Sequence, residues 1–383
     1  MIDSVKLFPL HLTTEPFIVR GKITADVPVM NANTLEANVL MTKALFVSSS
    51  QRLPLDTIQF ISGRNDSVQF MQLNSDVATA RISGQYRYTD LAQIFQNAVE
   101  PYFSVTPAAN KTSLPPYNFT FIADIGNAPV LVAFIPGLKS FDPIHITGRV
   151  SSGQGLEGSL TTAHIIYGGN EINGLSLNLG TAGQALRLTA DMQRLKGIGF
   201  DIYHTRLNAT ASNNKINFDL NIDDKGGRNK YFVGGVLNQP ANGRYMLNLR
   251  PDSLLLNYEK WTLSPNNSLT ITKDNIIASN FILQNGQQRL SLQSEGEALN
   301  AGFTNFQLST ITAFTKSDSL LVNGSMNGTV VFRNILRQPV FTSNLTISDL
   351  SMKGDTLGNA TIRIDNTSAN RYNTACNDNR PGK

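Results

Sequence analysis

Gly153, Gly155 and Gly158 stand in the run GQGLEG at the spacing of a dinucleotide fingerprint. That chemistry needs a helix directly after the turn, so that the helix N-terminus meets the pyrophosphate. Here Ser159-Leu160-Thr161-Thr162 follows, which favours a strand, and the motif reads as a turn. Asp223-Asp224-Lys225-Gly226-Gly227 gathers oxygens as a calcium loop would, but it lacks the regular ligand spacing and the closing Glu. It reads as a solvated hairpin turn. His11, His145, His164 and His204 are scattered, with neither the His-x-x-x-His spacing nor the paired Cys of a zinc site. There is no Gly-x-Ser-x-Gly elbow, and no carboxylate pair stands out by spacing. Cys376 is the single cysteine, so neither a disulfide framework nor a thiolate metal site is expected. The Asn-x-Ser/Thr triplets, as at Asn118, Asn208 and Asn344, follow from an Asn- and Thr-rich composition. No catalytic residue, cofactor or metal ligand is assigned, and the chain reads as non-enzymatic.

What such residues are mounted on is read from composition and period. The 383 residues are 41% apolar and only 16% charged, with a net charge of +4. The charged share falls below the customary quarter, and residues that suit strands and turns fill the gap. No basic run and no interleaving of aromatic with basic residues supplies a nucleic-acid footprint. The longest apolar run, 128–138 (APVLVAFIPGL), is too short for a membrane span of roughly 20 residues and carries two prolines. No signal peptide is visible. The chain opens inside a strand-like pattern, which points to a piece of a longer protein.

Period-two alternation dominates, the mark of strands with one apolar and one wet face. It is clear over 77–88, then in Leu175, Leu177 and Leu179, in Ile216, Phe218, Leu220 and Ile222, and in Tyr245, Leu247 and Leu249, and 40–47 is a further strand candidate. The stretch 253–312 holds about five such strands in succession, with Leu269 and Ile271, Leu290 and Leu292, and Phe306 and Leu308 as apolar pairs. Pro265-Asn266-Asn267 is expected to close one hairpin there and Asn285-Gly286 another, of type I′. No helix is at hand to cover the apolar face of this stretch. Asn-Gly recurs at Asn173, Asn242, Asn323 and Asn327. The exception to the β pattern is TDLAQIFQNAVEPYF, where Leu91, Ile94, Phe95, Ala98 and Val99 fall at helical spacing. Thr89 or Asp90 would cap this helix and Pro101 would end it. A second short helix or buried strand is expected near Pro136-Gly137.

The run DSLLLNYEKWTLSPNNSLTITKDNIIASNFILQNGQQRLSLQSEG, followed by LLVNGSMNGTVVFRN and LTISDLSMKGDTLGNATIRID, resembles the TamB-like translocation and assembly proteins of the AsmA-like group. The matched features are Leu-rich strands before Trp261, the strand starts at Asn267 and Asn280-Phe281, a hairpin from Asn323-Gly324 to Asn327-Gly328, and Asp349-Leu350 before Leu357-Gly358. The resemblance implies an all-β fold, an elongated and twisted antiparallel sheet curled into a groove, with one or two short helices. Its expected organisation is a β-groove segment over 1–103 ending in a helix at about 89–100, a Pro/Ser/Asn-rich connection over 104–127, and a continuous β-groove over 128–373. A polar tail, 374–383, stands where a further apolar strand is expected. The implied role is non-enzymatic cell-envelope biogenesis. The groove would help to assemble outer-membrane proteins, or carry phospholipid between the inner and outer membranes. The implied location is the periplasm, with an inner-membrane anchor outside this stretch, and the implied partner is a TamA-like outer-membrane insertase.

The residues support a groove in their own right. A one-faced meander must bury its apolar side against itself, another sheet or a ligand. The groove-lining candidates are Leu175, Leu177, Phe218, Leu220, Leu247, Leu249, Leu290, Leu292, Phe306 and Leu308. Their occupants would be phospholipid acyl chains or unfolded outer-membrane protein strands, and a closed core without a ligand is the plain alternative. A carbohydrate-active enzyme on a β-solenoid would show clustered carboxylates, which this sequence spreads thinly, and the remaining alternative is an extracellular β-rich adhesin or carbohydrate-binding module. It would show aromatic platforms on polar faces, whereas Tyr258 and Phe306 fall in the apolar register.

Overall fold

A computed structural model describes residues 2–6, 18–31, 33–47, 51–104, 113–239, 244–312, 322–337, 339–352, 355–368 and 371–379. The fold is all-β, an antiparallel sheet that is curled and not closed into a barrel, with 72% of the chain in strands and 6% helical. Two compact units divide the chain, Met1–Ile198 and Gly199–Lys383. Their boundary falls within the stretch expected to be one continuous groove.

The first unit contains β1 (Ile2–Lys6), β2 (Ile18–Met30), β3 (Leu35–Val47), β4 (Arg52–Asn65), β5 (Val68–Ser75), β6 (Ala78–Gln85), β7 (Asn118–Ile125), β8 (Leu138–Phe141), β9 (Ile144–Ser151), β10 (Gly155–Tyr167), β11 (Asn170–Ala182) and β12 (Ala185–Lys196). Up to β12 each pairs with its successor, except that β7 pairs with β9 and β8 with β10. β8 and β9 then share one side of β10, as two halves of a strand broken at Asp142-Pro143. The 118–125 part of the expected connection is therefore not a linker. It is β7, whose alternating NFTFIADI pairs on both sides. Of GQGLEG, Gly153 and Gln154 lie in the turn from β9 into β10, and Gly155 to Gly158 open β10 as paired strand, with no helix after them.

Two short helices interrupt this meander and lie on its apolar face. α1 (Leu91–Val99) forms where apolar residues recur at three and four. It buries Ile94 and Ala98 against Phe119, Val150 and Leu156, with the Phe95 ring edge-on to Phe119 and Phe121 at 5.9 and 5.6 Å. At under three turns it depends on that packing. Asp90 precedes it but does not cap it: the carboxylate accepts from Arg87 Nε at 2.6 Å. α2 (Pro129–Phe134) opens with proline at its first position and packs Val130 and Phe134 over Ala44, Leu53 and Phe46.

The second unit contains β13 (Asp201–Ser212), β14 (Lys215–Asp223), β15 (Asn229–Asn238), β16 (Tyr245–Leu256), β17 (Glu259–Leu263), β18 (Ser268–Ile271), β19 (Ile276–Ser279), β20 (Phe281–Asn285), β21 (Gln288–Glu295), β22 (Ala298–Gln307), β23 (Val322–Arg333), β24 (Val340–Met352), β25 (Asp355–Ser368) and β26 (Arg371–Asn379). Here the structure corrects several expectations. Pro265-Asn266-Asn267 closes no hairpin, because β17 and β18 both pair with β16 and run on as one kinked strand. β19 and β20 are likewise one strand broken at Asn280, whose φ is 49°. Asn285-Gly286 does close its hairpin, with Asn285 opposite Gln288. Asn323-Gly324 and Asn327-Gly328 form no hairpin either, since both lie inside β23. A Cβ at Gly328 would stand 2.1 Å from the Asn344 carbonyl oxygen, so glycine serves close strand approach there. The supposed tail begins inside β26, which pairs with β25 through Asn379.

The break at Asn267 forms a corner. β16 carries three extra residues relative to β15 between Leu249 and Leu254. Asn267, only 2% exposed, fills the gap: its Oδ1 accepts from Leu249 N, and its Nδ2 donates to the Leu249 and Ser264 carbonyls, each at 2.9 Å. Beyond Phe281 opposite Leu292, side chains replace the ladder, with Asn280 N donating to Gln293 Oε1 and Ala278 N to Ser294 Oγ. The sheet splits there, and Leu254, Trp261, Leu263, Phe281, Leu283, Phe306, Met326 and Ile347 bury one another. The face expected to lie uncovered in 253–312 is thus closed, because the corner brings it onto itself.

Candidate functional site

Directly paired residues on neighbouring antiparallel strands project to the same face. In the second unit this rule traces three rows. One runs Leu207, Leu220, Val233, Leu254, a second Ala209, Phe218, Gly235, Leu249, and a third Ala211, Ile216, Leu237, Leu247, Leu269. The alternate positions, such as Asn208, Asn217, Asp219 and Asn221, face the other way. Beyond the corner the same face continues as Leu263, Leu283, Leu290, Phe303 and as Phe281, Leu292, Ala301, Val330. In the first unit a comparable row runs Ala80, Ala123, Ile146, Leu160, Leu177, Ala190.

The ten candidates separate by what covers them. Phe306 is 3% exposed and committed to the Trp261 core, with ring centroids 5.8 Å apart. Leu249, Leu290, Leu292 and Leu308 pack against that core. Phe218, Leu220 and Leu247 are half-buried and belong to none of the core clusters among the described residues. The same holds in the first unit for Leu175 and Leu177, which lie beyond the cluster under α1. The structure therefore places an apolar surface without a covering layer on β10–β12 in one unit and on β13–β15 with the start of β16 in the other, among the described residues. Leu207, Ile216, Leu237, Ile146 and Leu160 join these surfaces although sequence reasoning did not select them. Their alternation is legible, but only the register shows which strands share a row.

The floor of the second surface is shaped by a glycine. A Cβ at Gly235 would stand 3.0 Å from both the Phe218 ring and Leu249 Cδ2, so its absence lets the phenyl ring lie across β15. The polar side of the first unit has a different feature, an open cavity of about 630 Å³ with Arg149, Glu157, Ser159, Asn178 and Arg187 among its walls.

The titratable groups with displaced pKa values stand in structural contacts. Hydrogen bonding from Asn173 holds the Glu171 carboxyl below its usual range, with Lys196 and His164 near it at 3.9 and 3.6 Å. The hydroxyl of Tyr258, donating at 2.7 Å, does the same for Asp224, assisted by the Arg228 backbone N–H. Burial pushes the Tyr86 phenol up to about 12 and raises that of Tyr231 further. His145 meets Asp124 at 2.5 Å at the surface, His204 sits at a strand bulge, and His11 lies outside the described residues. Among the described residues no group of three His, Cys, Asp or Glu could hold a metal ion. No family model, no curated protein and no solved structure matches the chain.

Proposed function

We propose that the chain is a TamB-like, non-enzymatic protein of cell-envelope biogenesis, whose half-buried apolar surfaces receive phospholipid acyl chains or unfolded outer-membrane protein strands. The observation that carries this reading is that Phe218, Leu220 and Leu247, apolar and in register, are half-buried and stand outside the core clusters of the described residues. Soluble proteins rarely leave a wide contiguous apolar patch without a use. Each methylene moved out of water is worth about 0.8 kcal/mol, so acyl chains gain by lying along such rows. In this reading the chain works in the periplasm with a TamA-like outer-membrane partner.

The test is native mass spectrometry after gentle extraction, combined with thermal melting. The parent chain is expected to carry co-purifying phospholipid or an outer-membrane strand peptide. Leu247→Asp and Phe218→Asp are expected to abolish that cargo while lowering the melting temperature by only a few degrees. Absence of any cargo from the parent, with wholesale unfolding of both variants, would mean a closed core and end the proposal.

A further inference from the structure

We propose that the sealed core of the second unit is the closed position of a clamp, pivoted at the corner and latched at the tip of the β18–β19 hairpin. One jaw is that hairpin with the start of β16, where Leu247 lies opposite Leu269 and Leu269 opposite Ala278. The other jaw is β20–β23. Leu269 and Ala278 of the first jaw share a buried cluster with Phe281, Leu283, Leu292 and Phe306 of the second. Among the described residues β19 pairs in register with β18 alone. Only side chains tie it to β21, through Ser294 Oγ for Ala278 N and Gln293 Oε1 for Asn280 N, each at 3.0 Å. The clamp goes beyond the acyl-chain reading and does not depend on it, since it opens or stays shut whatever lies on the rows.

The two ends of the hairpin are held unequally. At its base, Asn267 bonds Leu249 and Ser264, and Asn248 Nδ2 donates to the Asn267 carbonyl at 2.6 Å. Asn280 Nδ2 donates to the Pro265 carbonyl at 2.6 Å, which ties the two bends of the hairpin base together. Both bends carry a left-handed asparagine, Asn266 at a φ of 58° and Asn280 at 49°. At the tip, the turn around Asp274 meets the β23–β24 turn: Leu336 N donates to the Asp274 carbonyl at 3.2 Å, and Arg337 pairs with the Asp274 carboxylate. These side chains are 60% and 43% exposed, so the pair is weak and screened by salt. Closure also leaves polar groups unmet. Trp261 Nε1 in the core and Asn275 Oδ1 at the tip are buried without a hydrogen-bond partner among the described residues. Water would satisfy both on opening, so the closed state bears a cost that the open one does not. Opening at the tip uncovers Phe281 and Leu292, which continue the apolar face of β13–β16.

Native-state hydrogen exchange on the whole, cargo-free chain tests this, read by mass spectrometry with electron-transfer fragmentation. Amides of β18, β19 and Leu336 are expected to exchange faster than those of β14 and β15, through an opening smaller than global unfolding. Arg337→Gln and Asp274→Asn should each speed the hairpin amides about twofold to fivefold, the worth of an exposed ion pair, and leave β14 and β15 unchanged. Both variants should fold, since each changes an exposed side chain. High salt should speed the parent's hairpin amides in the same way and add nothing in either variant. Acrylamide quenching of Trp261, the single tryptophan, should rise together with the exchange. Hairpin amides that exchange no faster than those of β14 and β15 would leave global unfolding as the sole opening and overturn the proposal. So would a variant effect spread evenly over the unit, or a salt response undiminished in both variants.

Discussion

The Trp261 core and the Phe218–Leu220 rows occupy one face of one unit and use the same residue types, yet the first is sealed and the second is not. What differs is the regularity of the strands. β14 and β15 keep a nearly constant register, shifting only where β14 ends at Asp223. At the corner, three neighbouring strands break together: β16 at its extra residues, β17 with β18 at Asn267, and β19 with β20 at Asn280. A regular ladder leaves its apolar face open to whatever comes, and a broken one folds that face onto itself. Covering is decided by backbone irregularity, not by apolarity. The first unit uses a third device, laying α1 and α2 over parts of its face.

The sharpest way to break this contrast is at the sealed end. Trp261→Ala empties the centre of the core and is expected to cost about 3–5 kcal/mol, read as a lowered midpoint of urea denaturation. Loss below about 1 kcal/mol would mean that the core is as open as the rows. Asn267→Ala comes next. It strips partners from the Leu249 N–H and C=O, and a cost of about 2–3 kcal/mol is expected from the same measurement. Leu220→Ala, outside the core clusters, should cost only about 1 kcal/mol, since its side chain is partly exposed and leaves no sealed cavity. An equal cost for Leu220→Ala and Leu283→Ala would erase the distinction between the two regions.

The smallest expected effect concerns pH and marks the far end of β14. The folded Asp224 carboxyl lies below its ordinary 3.8, chiefly through Tyr258. A depressed carboxyl contributes stability that is complete above the unfolded value and is lost as pH falls through the folded value. Tyr258→Phe should therefore melt slightly lower than the parent near neutrality, and the two should converge in acid below 3.8. A melting difference that grows on acidification would contradict the assignment.

The alternation of Ile216, Phe218 and Leu220 was legible in the sequence, because successive strand side chains point to opposite faces. The helix at Leu91–Val99 was equally legible from its three-and-four spacing. Asn-Gly was ambiguous: the same dipeptide turns the chain at Asn285 and lies within β23 at Asn323 and Asn327, where close strand approach selects glycine. The corner was hidden for another reason. Asn267 announces nothing locally, and its partners on β16 lie 18 positions away. Of the candidate site, the apolar register was readable but the covering was not, since covering depends on how distant strands break.

Lys43, Asn305 and Asp349 have φ values of 53°, 47° and 53° inside β3, β22 and β24. Each stands between apolar residues spaced by three that share one cluster: Met41 with Ala44, Phe303 with Phe306, and Ile347 with Leu350. Beside two of them a neighbouring asparagine accepts the backbone N–H, Asn327 for Asn305 and Asn359 for Asp349. Strand faces obey parity: moving one place along the chain exchanges inside for outside. A left-handed residue adds the odd step that restores parity, so it works as a correction in the counting. Deleting Asn305 alone would shorten β22 by a single residue and leave Phe303 and Phe306 two places apart, still on the core face, whereas a deletion before Phe303 would send one side of the strand from the core to water. Strand length in this sheet can change by twos, or by one wherever such a residue absorbs the remainder.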